Sequence, residues 1–482
     1  MRRFDAVRWG LVADTNLTLL ATMTRSRRQY SFFSCCAAAG AVAILLAAQA
    51  GNFAAETSES TAQLVSELAS SDFATRQRAS AALEHAGPEA IGLLALAAAS
   101  PDAEVRGRAL NILSAHSLGT SGNTRDLARE TFRRLTSSSS PRVAQAARDM
   151  LYQVREVTAG RAVAELTRLG ATVMPVQTGE PFTFNVQVRQ TWTGGDERLS
   201  LLENLEEVPW LSMENSPVTD AALIHVAKLG RSPVGLTKLY LGSTGITCAG
   251  LAHLAPLKKL QYLSLKQLPI DDKALTNLPD FPALQYLGLD GTRVGDEGLR
   301  ALERYPQLQV IWLDNTPVTD AGLVHLKPLT NLRTLYLPGT NAAGPGLAEL
   351  RHLPNLTSVS LKGATLSPES LKYVAQLEQL ESLGLDLTNV TDEQLADLTG
   401  LTRLRILWLS NTKITDAGVE HLKSLKSLQI VHLSDTHVTS EAAAELQRAL
   451  PACQVTMGSR FEQSGSPPRN PPPRAALPRA IP

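Results

Sequence analysis

Between Leu241 and Leu433 the second leucine of a Leu-x-Leu pair returns every 24 residues, at Leu241, Leu265, Leu289, Leu313, Leu337, Leu361, Leu385, Leu409 and Leu433. The alternation inside each pair is that of a strand, whose successive side chains point to opposite faces. A unit this small cannot bury its own apolar side, so neighbouring units must stack and share one elongated core. Two irregular units open the stack, since Val188 precedes Met213 by 25 residues and Met213 precedes Leu241 by 28. The pattern predicts eleven strands, with the extra residues near Gly230 to Val234 in a loop. A terminal half-unit at Leu450, Pro451 and Cys453 is expected to cover the last core layer.

A different period precedes this stack. Asp72, Arg76, Ala79 and Leu83 reappear 30 residues later as Asp102, Arg106, Ala109 and Leu113, and a weaker third copy holds Val143, Ala147 and Leu151. Alanine and leucine four apart share one helical face, and the small alanine lets paired helices approach closely. Ala159 to Leu169 reads as a further helix that Gly170 stops as a C-terminal cap. Phe184, Val186 and Val188 then alternate as a strand should.

In its best copies the 24-residue unit reads Leu-x-x-Leu-x-x-Leu-x-Leu-x-x-Thr-x-Val-Thr-Asp-Ala-Gly-Leu, as at Leu308 to Leu323. It resembles a leucine-rich repeat of the ribonuclease-inhibitor-like kind over about 270 residues. The 30-residue segment resembles HEAT repeats over about 95 residues, including the Gly87-Pro88 break between helices, with a three- or four-helix bundle as the alternative. Together these resemblances imply an α/β solenoid, with a parallel sheet on the concave face and helices on the convex face, preceded by an all-α segment. Thr244, Thr292, Thr316, Thr340, Thr388, Thr412 and Thr436 stand where the leucine-rich-repeat family commonly has asparagine or cysteine. Their hydroxyls can satisfy backbone groups at the turn. Thr319, Thr391 and Thr415 are placed to cap the outer helices, with Asp320, Asp392 and Asp416 in the first turn, and Ser367-Pro368-Glu369 to start the same helix with different residues.

The expected organisation is a signal peptide or membrane anchor at 1–50, a linker at 51–60, HEAT-like repeats at 61–155, a cap and first irregular repeat at 156–200, leucine-rich repeats at 201–456 and a disordered proline-rich tail at 457–482. Residues 31–50 carry no charge and follow Arg25, Arg27 and Arg28. Counted from Met23, the basic start, apolar middle and Ala48-Gln49-Ala50 triplet suit cleavage before Gly51; counted from Met1, the longer arm suits a retained anchor. Cleavage is the favoured reading, and it places the protein outside the cytoplasm, periplasmic or extracellular, with a membrane tether through 31–50 as the other outcome. Only Cys248 and Cys453 follow this segment, far apart along the stack, so no disulfide framework is expected.

Charge narrows the partners. Lysine plus arginine and aspartate plus glutamate both total 46, so no net field exists to hold a polyanion, and nucleic acid is not an expected partner. The residues before, between and after the paired leucines should point to the concave face. Among thirty such positions stand Trp210, Tyr240, Tyr262, Tyr286, Trp312, Tyr336 and Trp408, seven of the thirteen tryptophans and tyrosines of the chain. Chance would place about one there. Such rings suit a protein, peptide or glycan ligand, although aromatics also stabilise sheets with no ligand at all. Lys238, Lys266, Asp290 and Asp314 set the polarity, and Ser358, Ser360, Ser382 and Gly384 leave a depression between Tyr336 and Trp408.

These features predict a non-enzymatic interaction scaffold with no cofactor. Two other classes are compatible with parts of the pattern. Asp290 and Asp314 occupy equivalent sites on adjacent strands, which at ~5 Å would suit a retaining glycoside hydrolase. Alternatively, the repeat type resembles that of ubiquitin-ligase substrate-receptor adaptors, though no F-box-like segment is visible and an export signal opposes a cytosolic role. His225, His253, His325 and His421 recur on the outer helices, with only His225 and His253 in adjacent units, so no metal site is expected.

Overall fold

The computed structural model describes residues 60–119, 122–176, 182–232 and 234–458. The 31–50 segment, almost all of the 51–60 linker and the tail from 459 onward lie outside the described residues. Two compact units divide between Tyr152 and Gln153.

In the first unit the 30-residue echo is a repeated helix start. Asp72 accepts the Thr75 amide ahead of the helix Phe73–Glu84, and Asp102 accepts the Glu104 and Val105 amides ahead of Ala103–Leu118. Each is an N-cap that satisfies an otherwise orphaned donor. The arginine four residues on then folds back onto the incoming chain. Arg76 Nη1 donates to the carbonyls of Ser70 and Ser71 at 2.7 and 3.0 Å, and Arg106 Nη1 to those of Ser100 and Pro101 at 2.9 and 3.2 Å. Ala79, Leu83, Ala109 and Leu113 are wholly buried, and Gly87-Pro88 separates Phe73–Glu84 from Glu89–Ala98. The helix Pro141–Arg168 runs unbroken through the position where the repeats were expected to end. Its residues Ala147 and Leu151 belong to the first core, and Ala162 and Leu166 to the second. Gly170 ends it with φ +100°, and Ala171 donates back to the Leu166 carbonyl at 2.9 Å.

The second unit is one sheet of thirteen strands in chain order. They are β1 (Thr172–Pro175), β2 (Thr183–Gln187), β3 (Glu207–Ser212), β4 (Lys238–Tyr240), β5 (Tyr262–Ser264), β6 (Tyr286–Gly288), β7 (Val310–Trp312), β8 (Thr334–Tyr336), β9 (Ser358–Ser360), β10 (Ser382–Gly384), β11 (Ile406–Trp408), β12 (Ile430–His432) and β13 (Gln454–Thr456). The eleven expected strands are β2 to β12. The two additions lie at the ends: β1 pairs antiparallel with β2, and β13 extends the terminal half-unit in parallel beside β12. Every other neighbouring pair is parallel. Short end strands cover the ladder groups that β2 and β12 would otherwise present.

Each of β4 to β12 sends its central residue inward. Leu239, Leu263, Leu287, Ile311, Leu335, Leu383, Leu407 and Val431 are fully buried in a single core that runs from Ala162 to Cys453. Burying each such side chain stabilises by about 1.5–3 kcal/mol. The expected turn bonds all form: the hydroxyls of Thr244, Thr292, Thr316, Thr340, Thr388, Thr412 and Thr436 donate to the leucine carbonyl three residues earlier at 2.6–2.8 Å. The residue just before each threonine is left-handed, at Ser243, Gly291, Asn315, Gly339, Leu387, Asn411 and Asp435, and so are Gln267 and Gly363 in the two repeats that have Leu268 and Ala364 in its place.

Thr319, Thr391 and Thr415 cap their outer elements as expected, the Asp320–Leu326 element being a 3-10 helix and Thr391 forming a full capping box. The aspartates after the caps do more than complement a helix dipole. Asp296 Oδ1 and Oδ2 accept the Thr319 amide and hydroxyl of the next repeat at 2.8 and 2.6 Å. Asp220, Asp392 and Asp416 bind Thr247, Thr415 and Thr439 in the same two-point way. A Cβ on Gly322 or Gly418 would collide with the carboxylate of Asp296 or Asp392, so the glycine of the Thr-Asp-Ala-Gly motif makes room for the preceding repeat's aspartate. The Ser-Pro-Glu segment differs from its expected role. The helix begins only at Ser370, whose hydroxyl accepts the Ser367 amide at 2.8 Å and donates to the Ala343 carbonyl. Among the described residues no helix is long and apolar enough to cross a membrane.

Candidate functional site

The sheet has one face on the core and one open face. Parallel register arranges the open face in rows, one of which passes through Met174, Asn185, Trp210, Lys238, Tyr262 and Tyr286. The next row passes through Ser212, Tyr240, Ser264, Gly288, Trp312, Tyr336, Ser360, Gly384, Trp408 and His432. Lys266, Asp290 and Asp314 follow in a third column, tied by Gln267 donating to the Asp290 carbonyl and Gly291 to that of Asp314, both at 2.7 Å.

Six of the seven predicted rings form one continuous ladder over β3 to β8. Trp210 meets Tyr240 at 5.8 Å, Tyr240 stacks on Tyr262 at 4.5 Å, and Tyr262 stacks on Tyr286 at 5.9 Å. Tyr262 also meets Trp312 two strands away at 5.7 Å, and Trp312 stacks on Tyr336 at 5.8 Å with the planes 8° apart. These are the offset and tilted geometries that aromatic quadrupoles favour. The long reach from Tyr262 to Trp312 is open because the row of Trp312 holds only Ser264 and Gly288 on β5 and β6. Trp312 is thereby drawn down to 6% exposure, while Trp210, Tyr240, Tyr262, Tyr286 and Tyr336 stay half-buried.

Trp408 stands apart from that ladder. It stacks on His432 at 6.0 Å, a partner one repeat on in the same row that counting tryptophans and tyrosines alone overlooks. Between Tyr336 and Trp408 the row holds only Ser360 and Gly384, and Ser358 Oγ donates to Ser382 Oγ at 3.2 Å in the adjoining row. Lys238 is exposed, Lys266 and Asp314 are half-buried, and Asp290 is buried at 6% exposure. A cleft of about 370 Å³ lies at the β1 end of the ladder, lined by Met174, Asn185, Pro209, Trp210, Thr237 and Lys238. Met174 and Asn185 were not predicted here, because they fall in irregular units outside the 24-residue register. Among the described residues no group of three or more acidic, histidine or cysteine side chains could hold a metal ion. His225 and His325 instead lie 3.3 and 3.2 Å from Glu203 and Glu303. Cys248 and Cys453 are both free thiols.

A parallel ladder of short strands with one short helical element per repeat defines a leucine-rich-repeat solenoid. No family model matches the chain, and no curated protein matches it in sequence. Solved structures similar to it include the internalin inlF of Listeria monocytogenes, at 21% identity over 62% of this chain and 94% of its own, with a TM-score of 0.38. Internalin C2 of the same organism is 23% identical over 48% of this chain and 92% of its own, with a TM-score of 0.34. A leucine-rich-repeat protein of Leptospira interrogans is 17% identical over 54% of this chain and 80% of its own, with a TM-score of 0.30.

Proposed function

We propose that the second unit is a non-enzymatic recognition scaffold that binds a protein, peptide or glycan on the open, concave face of its sheet. The observation that carries this reading is the six-ring ladder over β3 to β8, which keeps large amphipathic surface at the solvent side of an otherwise short-stranded sheet. Rings of this kind bury much area at little entropic cost and dominate the energetics of interfaces. Tyr262 is the node, touching Tyr240, Tyr286 and Trp312 together. Lys238, Lys266, Asp290 and Asp314 border the rings and set which charged groups a ligand can bring. The first unit is read as a HEAT-like helical segment, and residues 31–50 as the signal or anchor that puts the scaffold outside the cytoplasm.

Peptide and glycan arrays probed with the full chain would identify ligands. Tyr262→Ala combined with Trp312→Ala is expected to weaken a captured ligand by at least about tenfold, as loss of central aromatic anchors does. Unchanged binding by a variant with the parent circular dichroism would remove the ladder from the site.

A further inference from the structure

Resting on the reading of the ladder as a recognition face, we infer that the cleft at its β1 end is a terminal subsite for one acidic sugar, the carboxylate-bearing end residue of a glycan laid along the rings. The cleft holds about 370 Å³, at the small end of ligand sites, and so suits a single ring better than a folded segment. Strand pairing sets Met174, Asn185, Trp210 and Lys238 side by side in one row on β1 to β4. The indole is thereby flanked by an amide on one side and an ammonium on the other, each one strand spacing of ~4.8 Å away. Met174, 40% exposed, adds an apolar lip.

The groups left over at these positions define the ligand. The Pro209 carbonyl already accepts the Thr237 amide and hydroxyl at 2.9 and 2.8 Å, so that wall is satisfied with nothing bound. The side chains of Asn185 and Lys238 make no hydrogen bond or ion pair with any of the described residues. No carboxylate lines the cleft, and those at the start of β3 are committed elsewhere. Glu206 pairs with Arg155 at 2.7 Å, and the buried Glu207 accepts the Ser232 hydroxyl and the Val234 amide. An ammonium with no acid beside it favours an anion, an amide serves a pair of hydroxyls as donor and acceptor, and an indole face takes the C–H side of a ring. A sugar ring with a carboxylate uses all three together. An acidic peptide side chain reaches the ammonium but brings neither the hydroxyl pair nor the C–H face. Behind the cleft the rings continue from Trp210 to Tyr240 and Tyr262, which gives the following sugars aromatic surface of their own.

Isothermal titration of the full chain with a glucose tetrasaccharide whose end residue is glucuronate, and with its all-glucose counterpart, reads this preference. The acidic form should bind at least about tenfold more tightly, the worth of one hydrogen bond to a charged group. Lys238→Met, at an exposed position, should bring the two sugars to equal affinity, and Asn185→Ala should weaken both about fivefold. Trp210→Ala should remove binding, and Trp210→Phe should restore part of it. Equal binding of the two sugars by the parent overturns the subsite, as does a preference that survives Lys238→Met or failure of the acidic sugar to bind. A tetrapeptide with a free terminal carboxylate that binds as tightly as the acidic sugar also overturns it and makes the cleft a peptide-end site. Each of these failures leaves array ligands that depend on Tyr262 and Trp312 untouched, so the subsite can fall while the wider reading of the ladder stands.

Discussion

Strands β3 to β8 and strands β9 to β10 share one core, and most of their repeats share one turn chemistry, but their open faces are opposite. Leu335 and Leu383 are both fully buried, and Thr340 and Thr388 both donate to the leucine carbonyl three residues back. Over the first region six rings are linked by ring contacts; over the second the open-face positions are Ser358, Ser360, Ser382 and Gly384. Core and face are thus specified by alternate residues of the same strand, and one can change while the other is held. This is what period-two alternation permits, and it explains why a 24-residue repeat can be regular in its leucines and irregular in everything a ligand would meet.

The largest effect should be blind to that contrast. Leu335→Ala under the ladder and Leu383→Ala under the small-residue stretch should each destabilise by about 2–5 kcal/mol. Four of the five tryptophans lie in the second unit, so denaturant unfolding followed by tryptophan fluorescence reports on it. A loss at Leu335 several times that at Leu383 would mean that the rings, and not the leucines, hold the first region together.

Next in size is the bond between repeats. Asp296→Ala strips partners from the Thr319 amide and hydroxyl and should cost about 1–3 kcal/mol. Asp392→Ala, in the segment after β10, removes the same pair from Thr415 of the next repeat and should cost the same. Equal losses by the same unfolding measurement would show that the aspartate ladder serves both regions alike, and unequal ones would tie it to the face.

A smaller effect singles out the second region. The left-handed turn position holds Asn215, Ser243, Gln267, Gly291, Asn315 and Gly339 along the ring ladder and Gly363 after β9, but the branched Leu387 after β10, at φ +60° and 54% exposed. A branched side chain in that conformation is strained by about 1–2 kcal/mol. Leu387→Asn should therefore raise stability by roughly 0.5–1 kcal/mol. A loss of stability instead would show that the leucine side chain makes a contact worth more than its strain.

The core, the turn hydroxyls and the positions of all seven rings were legible because each obeys a fixed register, and a register is a property of sequence. What escaped was set by contacts between registers. The aspartate after each cap reads locally as a first-turn charge, yet its partner lies 23 to 27 residues on, in the next repeat. Likewise the row positions gave Tyr262 and Trp312 separately, while their contact over Ser264 and Gly288 depends on two small residues between them. Met174 and Asn185 had no register to belong to. The helix Pro141–Arg168 was divided in reading because its repeat copy and its later apolar run match different patterns, although nothing in between breaks a helix.

The contrast between the two regions can also be narrowed by extending the ladder. Ser360 lies beside Tyr336 on one strand and Gly384 on the other, so Ser360→Tyr would place a ring against Tyr336 with no Cβ opposing it at Gly384. A stacked pair contributes about 0.5–1.5 kcal/mol beyond its buried area, and part of that is lost to ordering an exposed side chain. The net gain should be about 0.5 kcal/mol. Ser360→Val supplies strand propensity without a ring, so the difference between the two variants isolates the stacking term. If valine stabilises as much as tyrosine, ring contact adds nothing to this sheet, and the six rings over β3 to β8 have no structural reason to be where they are. That outcome would strengthen their assignment to recognition, whereas a large gain from tyrosine alone would weaken it.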